Sequence, residues 1–210
     1  MAKTVLILGG VRSGKSRFAR ELAEKIAGDE VLFVATATAC DAEMSHRIER
    51  HQRDRPAAWR VFEQPLQLGA ALATAPERYQ VVLVDCLTLL VSNILLSCEN
   101  HQDADAVEDL VRTELAAIVV ACRERPGTVI IVSGEVGQGV VPEHRLGRIF
   151  RDLLGMANQI LAATAETVYL MVAGLPVEIK SLAATVATAA QAPAKDHESM
   201  TLSAGEIGSR

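Results

Sequence analysis

The sequence predicts an α/β domain in which helices cover both faces of a mostly parallel sheet. Short apolar runs at residues 4–8, 31–35, 81–84 and 128–132 alternate with longer segments whose apolar residues recur at helical spacing. The runs are apolar throughout rather than at every second position, as in strands buried on both faces. No internal repeat interrupts this order, and residues 1–180 read as one domain followed by a different tail.

Each element has its own signal. Residues 4–8 are β-branched and aliphatic and stop at Gly9-Gly10, as a buried strand does. From Ser16 to Ala27 the residues Phe18, Leu22 and Ile26, with Ala19 and Ala23, mark one helical face, and Gly28 stands where a C-terminal cap belongs. The run 31–35 is the next strand. Beyond Asp41, a candidate N-cap, Met44 and Ile48 mark a polar, arginine-laden helix that Pro56 must break. Residues 59–63 predict a shorter strand and 66–75 a small helix. The strand 81–84 ends in Asp85, and helices follow at 87–97 and 103–123.

The strand 128–132 leads into a loop, 133–142, that carries Gly134, Gly137 and Gly139 and suits close backbone approach. From Glu143, residues Leu146, Ile149, Phe150, Leu153, Leu154, Ala157, Ile160 and Leu161 form the clearest amphipathic stripe in the chain. Residues 167–172 predict a last sheet strand, and 177–180, after Gly174-Leu-Pro176, a segment that pairs back as a hairpin. Residues 181–210 turn to Ala, Thr, Ser and Gln and read as a weakly ordered tail.

Composition narrows the function. With 210 residues, 50% hydrophobic and 22% charged, the chain is long enough to bury a core without staples, and with 3% aromatics that core must be aliphatic. A net charge of −5 excludes a surface made for coating nucleic acid or anionic membranes, so no nucleic-acid partner is expected and any basic site is local. Cys40, Cys86, Cys98 and Cys122 fall in no zinc spacing. Asp85 and Asn93 interrupt the richest apolar stretch, so no membrane insertion is expected. The N-terminus lacks a signal-peptide pattern, and a cytoplasmic address is the simplest expectation.

The motif with the sharpest chemistry is Gly9-Gly10-Val11-Arg12-Ser13-Gly14-Lys15-Ser16, which satisfies G-x-x-x-x-G-K-[ST] between a predicted strand and a predicted helix. Its glycines turn backbone N–H groups inward around phosphate oxygens, and the helix N-terminus adds positive charge. Lys15 reaches the terminal phosphates and Ser16 suits Mg²⁺. Asp85, at the exit of its strand, is the expected second metal contact. An acid in that position also serves as a helix N-cap, the bland reading of the same residue.

The segment from Ser45 to Pro56 gathers Arg47, Arg50, Arg53 and Arg55 around His51 in an acidic protein. On a helix Arg47 and Arg55 flank His51 by one turn each, which favours a neutral imidazole beside a bound phosphate, and a neutral imidazole can act as a nucleophile. A solvated charged face with a surface histidine is the competing reading. His46, His101, His144 and His197 read as surface or helix residues.

Taken with Ala35-Thr36-Ala37, Asp41-Ala-Glu-Met44, Trp59, Glu63 before Pro65, Asp85-Cys-Leu-Thr88, Asn93, Glu135-Val-Gly137, Arg148, Asn158-Gln159 and Ala173-Gly-Leu-Pro176, these motifs carry a resemblance. The chain resembles the bifunctional adenosylcobinamide kinase and adenosylcobinamide-phosphate guanylyltransferases of cobalamin biosynthesis. The likeness spans Thr4 to about Lys180. It implies a RecA-like P-loop NTPase fold, a homotrimer, GTP and ATP as nucleotide substrates with Mg²⁺, and adenosylcobinamide and its phosphate as acceptors.

It also implies that His51 becomes guanylylated. Gly9 to Ser16, Ala35 to Ala37, Gln52, Arg53, Asp54, Arg55, Glu63 and Asp85 then correspond to nucleotide-contacting positions. Gly134 stands where the family usually carries Asn. Another P-loop small-molecule kinase, or a nucleotide-dependent switch, would share the phosphate loop and leave His51 silent.

Overall fold

The computed structural model describes residues 3–38, 55–100 and 103–184. Along the chain these form β1 (Lys3–Gly9), α1 (Lys15–Ala27), β2 (Val31–Ala35), β3 (Arg60–Glu63), α2 (Leu68–Thr74) and β4 (Val81–Asp85). There follow α3 (Leu87–Ser97), α4 (Ala104–Glu124), β5 (Thr128–Val132), α5 (Arg145–Thr164), β6 (Thr167–Val172) and β7 (Leu175–Glu178). The seven strands make one sheet in the order β3-β2-β4-β5-β1-β6-β7. Every neighbouring pair is parallel except β6 with β7. The α/β expectation holds, and β5 separates the loop-bearing β1 from the acid-bearing β4, the order of a RecA-like domain. The segment carrying His51, Gln52, Arg53 and Asp54 lies outside the described residues, as does the tail from 185 on.

Period-two geometry divides each buried strand between two cores. Leu6 and Leu8 of β1, Val82 and Val84 of β4, and Val129 and Ile131 of β5 face the side covered by α2, α3, α4 and α5. Val5 and Ile7, Val81 and Leu83, and Ile130 and Val132 face α1, where Ala19, Ala23 and Trp59 pack against them. Small residues on α1 let that single helix lie close to the sheet. The core is aliphatic as composition requires, each fully buried Leu or Ile contributing roughly 1.5–3 kcal/mol.

The boundaries that moved did so for identifiable reasons. β7 starts at Leu175, two residues before the expected 177, because Ala173 (φ 52°) and Gly174 (φ 84°) form a two-residue turn of the primed kind. α5 starts at Arg145 rather than Glu143. Arg148 Nη1 donates to the carbonyls of Pro142 at 3.0 Å and Glu143 at 2.6 Å, which fixes those two residues as a lead-in. α4 starts at Ala104, its N-cap Asp103 accepting from the Ala106 N–H at 3.2 Å. α1 ends as expected at Gly28, whose N–H donates to Glu24 O at 2.8 Å.

Two long cations close the frame. Lys180 Nζ donates to the α5 C-terminal carbonyls of Ala162 at 2.8 Å and Ala163 at 3.1 Å, where a cation also suits the helix dipole. Arg125, buried at the end of α4, donates to the carbonyls of Ala75 (2.7 Å), Pro76 (3.1 Å) and Tyr79 (2.7 Å). That guanidinium satisfies a whole turn between α2 and β4. Arg125→Met keeps the volume of the stem but strands three carbonyls, and we expect a loss of about 3 kcal/mol in urea unfolding at an unchanged m-value.

Candidate active site

Every strand exit that matters lies at one edge of the sheet, the carboxyl edge, where α/β proteins bind ligands. β1 leaves it through the phosphate loop. Gly9 has φ 151°, and a Cβ there would lie 2.7 Å from Met171 O and 2.7 Å from Ser13 Oγ, so no side chain fits. Gly14 (φ 94°) begins α1 with no side-chain cap and no acid in the first turn, which leaves the first N–H groups and the positive helix end to an anion.

Neighbouring strands hold the loop from outside. The Glu135 N–H donates to Gly9 O at 2.9 Å, and the Gly174 N–H to Ser13 O at 3.0 Å. Lys15 Nζ curls back to donate to Gly10 O at 2.6 Å, so its ammonium lies over the start of the loop. Among the described residues Ser13 Oγ is buried with no hydrogen-bond partner, and Val11 stands exposed at the loop's crest.

Across β5, the ends of β2, β3 and β4 form an acidic crevice with Arg55 in it. Register places Ala35 beside both Glu63 and Asp85. Asp85 is not the N-cap of α3, a position held by Cys86 without a side-chain bond, so the bland reading of that acid fails. Thr36 ties β2 to β4: its N–H donates to Asp85 O at 3.3 Å, and its hydroxyl donates to Cys86 O at 2.6 Å and accepts from Cys86 N at 2.8 Å. The Thr36 side chain is therefore taken up with holding the crevice, and Ala37 follows it half-buried. Asn93 of α3 adds a brace, its Nδ2 donating to Thr36 O at 2.8 Å and Pro65 O at 3.0 Å.

The Arg55 guanidinium stacks 3.6 Å from the centre of the Phe33 ring. Burial lowers its pKa, Asp85 and Glu63 oppose that shift, and Arg20 adds to it, so all four charges share one field. Arg20 was not singled out by motif. Its signal was its place four residues beyond Ser16 on the same helix face. The structure thus gathers Gly9 to Ser16, Ala35, Thr36, Ala37, Arg55, Glu63 and Asp85 around one edge.

Residues 5–179 match the family model described as cobinamide kinase / cobinamide phosphate guanyltransferase. The chain belongs to that family. It is similar to the bifunctional adenosylcobalamin biosynthesis protein CobU of Escherichia coli (strain K12), with 41% identity over 84% of this chain and 99% of that one. The CobU protein of Salmonella typhimurium is 39% identical over 84% of this chain and 99% of its own. The bifunctional adenosylcobalamin biosynthesis protein CobP of Pseudomonas aeruginosa is 45% identical over 83% and 96% respectively. Among solved structures, an ATPase domain aligns with a TM-score of 0.47 at 15% identity over 80% of this chain and 69% of that one.

At Gly134, where the resemblance leads one to expect Asn, the packing is close. The Gly134 N–H donates to Thr88 Oγ1 at 2.6 Å, and a Cβ would meet that oxygen at 3.0 Å. Gly134 O accepts from Asn158 Nδ2 at 2.9 Å, and Asn158 Oδ1 accepts from the buried Ser133 hydroxyl at 2.6 Å. The β5 exit is therefore fixed through its backbone. Among the described residues no helix is long and apolar enough to cross a membrane.

Cys86, between Asp85 and α3, has its thiol pushed up from 9.0 to about 11 by burial and by the neighbouring carboxylate of Asp85. Two pH units above the ordinary value leave about a hundredth of the usual thiolate at pH 8. Site-resolved mass spectrometry after iodoacetamide treatment should therefore show Cys86 modified at least ~10-fold more slowly in folded than in urea-unfolded protein at pH 8, the folded rate rising as the pH approaches 11.

Proposed function

We propose that this chain phosphorylates the hydroxyl of adenosylcobinamide's aminopropanol arm and then transfers GMP from GTP to that phosphate, giving adenosylcobinamide-GDP. One observation carries the reading: in a member of this family, the phosphate loop with Lys15 folded over Gly10 faces, across β5, a crevice that holds Asp85, Glu63 and Arg55.

In the kinase step the acceptor oxygen attacks the terminal phosphorus, the O–P bond forms, and the bridging bond to the nucleoside diphosphate breaks. Lys15 and the loop N–H groups stabilise charge spread over the transferring group. In the second step an imidazole nitrogen of His51 attacks the α-phosphorus of GTP and pyrophosphate leaves. The substrate phosphate oxygen then displaces the histidine, which returns to neutral imidazole. Splitting the exchange this way lets a neutral imidazole, rather than the anionic substrate phosphate, attack the triphosphate.

Among the described residues no group of three or more His, Cys, Asp or Glu could hold a metal ion. A nucleotide-bound Mg²⁺ needs no such cage, since one or two protein oxygens suffice beside phosphate and water. The hydroxyl of Ser16 and the carboxylate of Asp85 are the hard oxygen donors for it. When bound, the ion neutralises phosphate charge.

The same reading assigns nucleotide contacts to Gln52, Arg53, Asp54, Ala35, Thr36 and Ala37 as well. It gives GTP, or ATP in the kinase step, as donor, and a cytoplasmic homotrimer as the working form. Residues 1–180 carry the chemistry, with the tail 181–210 outside it.

The test is covalent labelling with Mg²⁺ and either α-labelled or γ-labelled GTP, followed by denaturation. Acid-labile label retained from the α position alone, and abolished in His51→Ala, is the expected result. An active preparation that retains no α-label removes His51 as nucleophile and leaves an ordinary kinase. His51→Ala should still transfer the γ-phosphoryl group to adenosylcobinamide, whereas Lys15→Ala should lose that transfer by ~10²-fold or more.

A further inference from the structure

The kinase step needs a group that receives the proton of the acceptor hydroxyl, and the phosphate loop, residues 9–16, carries no carboxylate or imidazole. Among the described residues, three carboxylates stand at this edge of the sheet. Asp85 and Glu63 share the field of the Arg55 guanidinium, which is stacked on Phe33. Glu135 stands elsewhere, at the β5 exit against the start of the loop. Its N–H is fixed to Gly9 O at 2.9 Å, and its Oε1 accepts from the Gly137 N–H at 2.7 Å. Among the described residues its Oε2 takes no bond.

Beside Glu135 lies an open groove of about 450 Å³, walled by Gly10, Val11, Arg12, Gln138, Met171 and Val172. Lys15, the residue suited to the terminal phosphates, lays its Nζ on Gly10 O, and Gly10 also walls the groove, so the groove adjoins the end of the loop over which that ammonium lies. Its walls are mixed in character, with half-buried Glu135 and exposed Gln138 on one side and the end of β6 on the other. Arg12 is the other charged wall residue and is exposed on the loop, so solvent screens its pull on the carboxylate. A volume near the lower end of small-ligand pockets suits a short alcohol-bearing arm better than a whole macrocycle. Glu135 is also held stiffly, because Ser133, Gly134, Asn158 and Thr88 lock the strand exit that carries it.

We propose that this groove admits the alcohol-bearing arm of the acceptor and that Glu135 is the catalytic carboxylate of the kinase step. As the acceptor oxygen bonds to the terminal phosphorus, its proton passes to Glu135 Oε2, the nucleoside diphosphate leaves, and the carboxyl group returns the proton to water. This rests on the kinase reading above and adds to it a residue and an acceptor site.

The experiment measures γ-label transfer from nucleoside triphosphate to adenosylcobinamide by wild type, Glu135→Gln, Glu135→Asp and Val172→Trp. Nucleotide Kd and α-label retention are measured in parallel. For Glu135→Gln the expected kcat falls ~10²–10³-fold, within the usual range for a lost general base. The acid limb of its kcat–pH profile disappears, while nucleotide Kd and α-label retention stay within about threefold. Glu135→Asp recovers part of the rate. Val172→Trp, which fills the groove, raises acceptor KM about tenfold or more at unchanged nucleotide Kd.

A Glu135→Gln enzyme with kcat within about threefold of wild type, or with the acid limb intact, overturns the proposal. So does a loss of nucleotide affinity in Gln and Asp variants alike, which would assign Glu135 to holding the loop. An unchanged acceptor KM in Val172→Trp overturns the groove. Wild type that binds nucleotide yet never labels adenosylcobinamide brings down the kinase reading and this inference with it, whereas an active wild type with an indifferent Gln variant removes Glu135 alone.

Discussion

The phosphate loop keeps its shape because its neighbours grip it. A loop of glycines has little reason to hold one conformation, since each glycine gives up more backbone freedom on ordering than any other residue. Here the β5 exit donates to Gly9 O and the β6–β7 turn donates to Ser13 O, while the tight contact at Gly9 forbids any side chain. The loop is thus preorganised by two flanking strands before any nucleotide arrives. That grip depends in turn on β1 lying between β5 and β6, which is why the centre of the sheet must be apolar on both faces.

Holding the loop from both sides also separates two electrostatic environments. On the β4 side, Asp85 and Glu63 share a field with Arg55 and Arg20, and the stack of Arg55 on Phe33 keeps that guanidinium in place. On the β6 side, Glu135 faces a groove whose cation, Arg12, is exposed on the loop rather than stacked and partly buried as Arg55 is. One loop therefore presents a phosphate to a charge-balanced crevice and to a carboxylate in a looser, solvated field. Thr36 and Asn93 position the β4 side: the Thr36 hydroxyl ties the end of β2 to that of β4, and the Asn93 amide ties α3 to the exits of β2 and β3.

Much of this was legible in the sequence, and the parts that were not share a cause. The strands at 31–35 and 128–132 were legible to the residue because a short unbroken run of apolar and β-branched residues between turn residues has few other uses. The places of the phosphate loop between β1 and α1 and of Asp85 at the end of β4 were legible because each is a local pattern, a motif and an acid closing an apolar run. β7 was misplaced by two residues because Ala173 takes a left-handed conformation that its side chain does not advertise. The roles of Thr36, Asn158 and Arg125 were illegible for a different reason: their partners lie 50, 25 and 46–50 residues away, and no spacing rule spans such distances. Glu135 appeared in the sequence only as one letter of a family resemblance, and its significance comes from where β5 ends beside β1.

The two steps of a bifunctional enzyme place opposed demands on one phosphate site. Phosphoryl transfer to an alcohol is helped by a proton acceptor at the terminal phosphate, whereas the proposed attack of a neutral imidazole on the α-phosphorus needs a good leaving group and no competing hydroxyl nearby. A single symmetric cleft would serve both poorly. Two approaches to one loop resolve the conflict, because the groove beside β6 reaches the Gly10 end while the Arg55 crevice opens on the opposite side of β5. The strand order makes this possible: with β5 inserted between β1 and β4, the acid-bearing strand exits stand one strand away from the loop, while β6 walls the groove on the loop's other side.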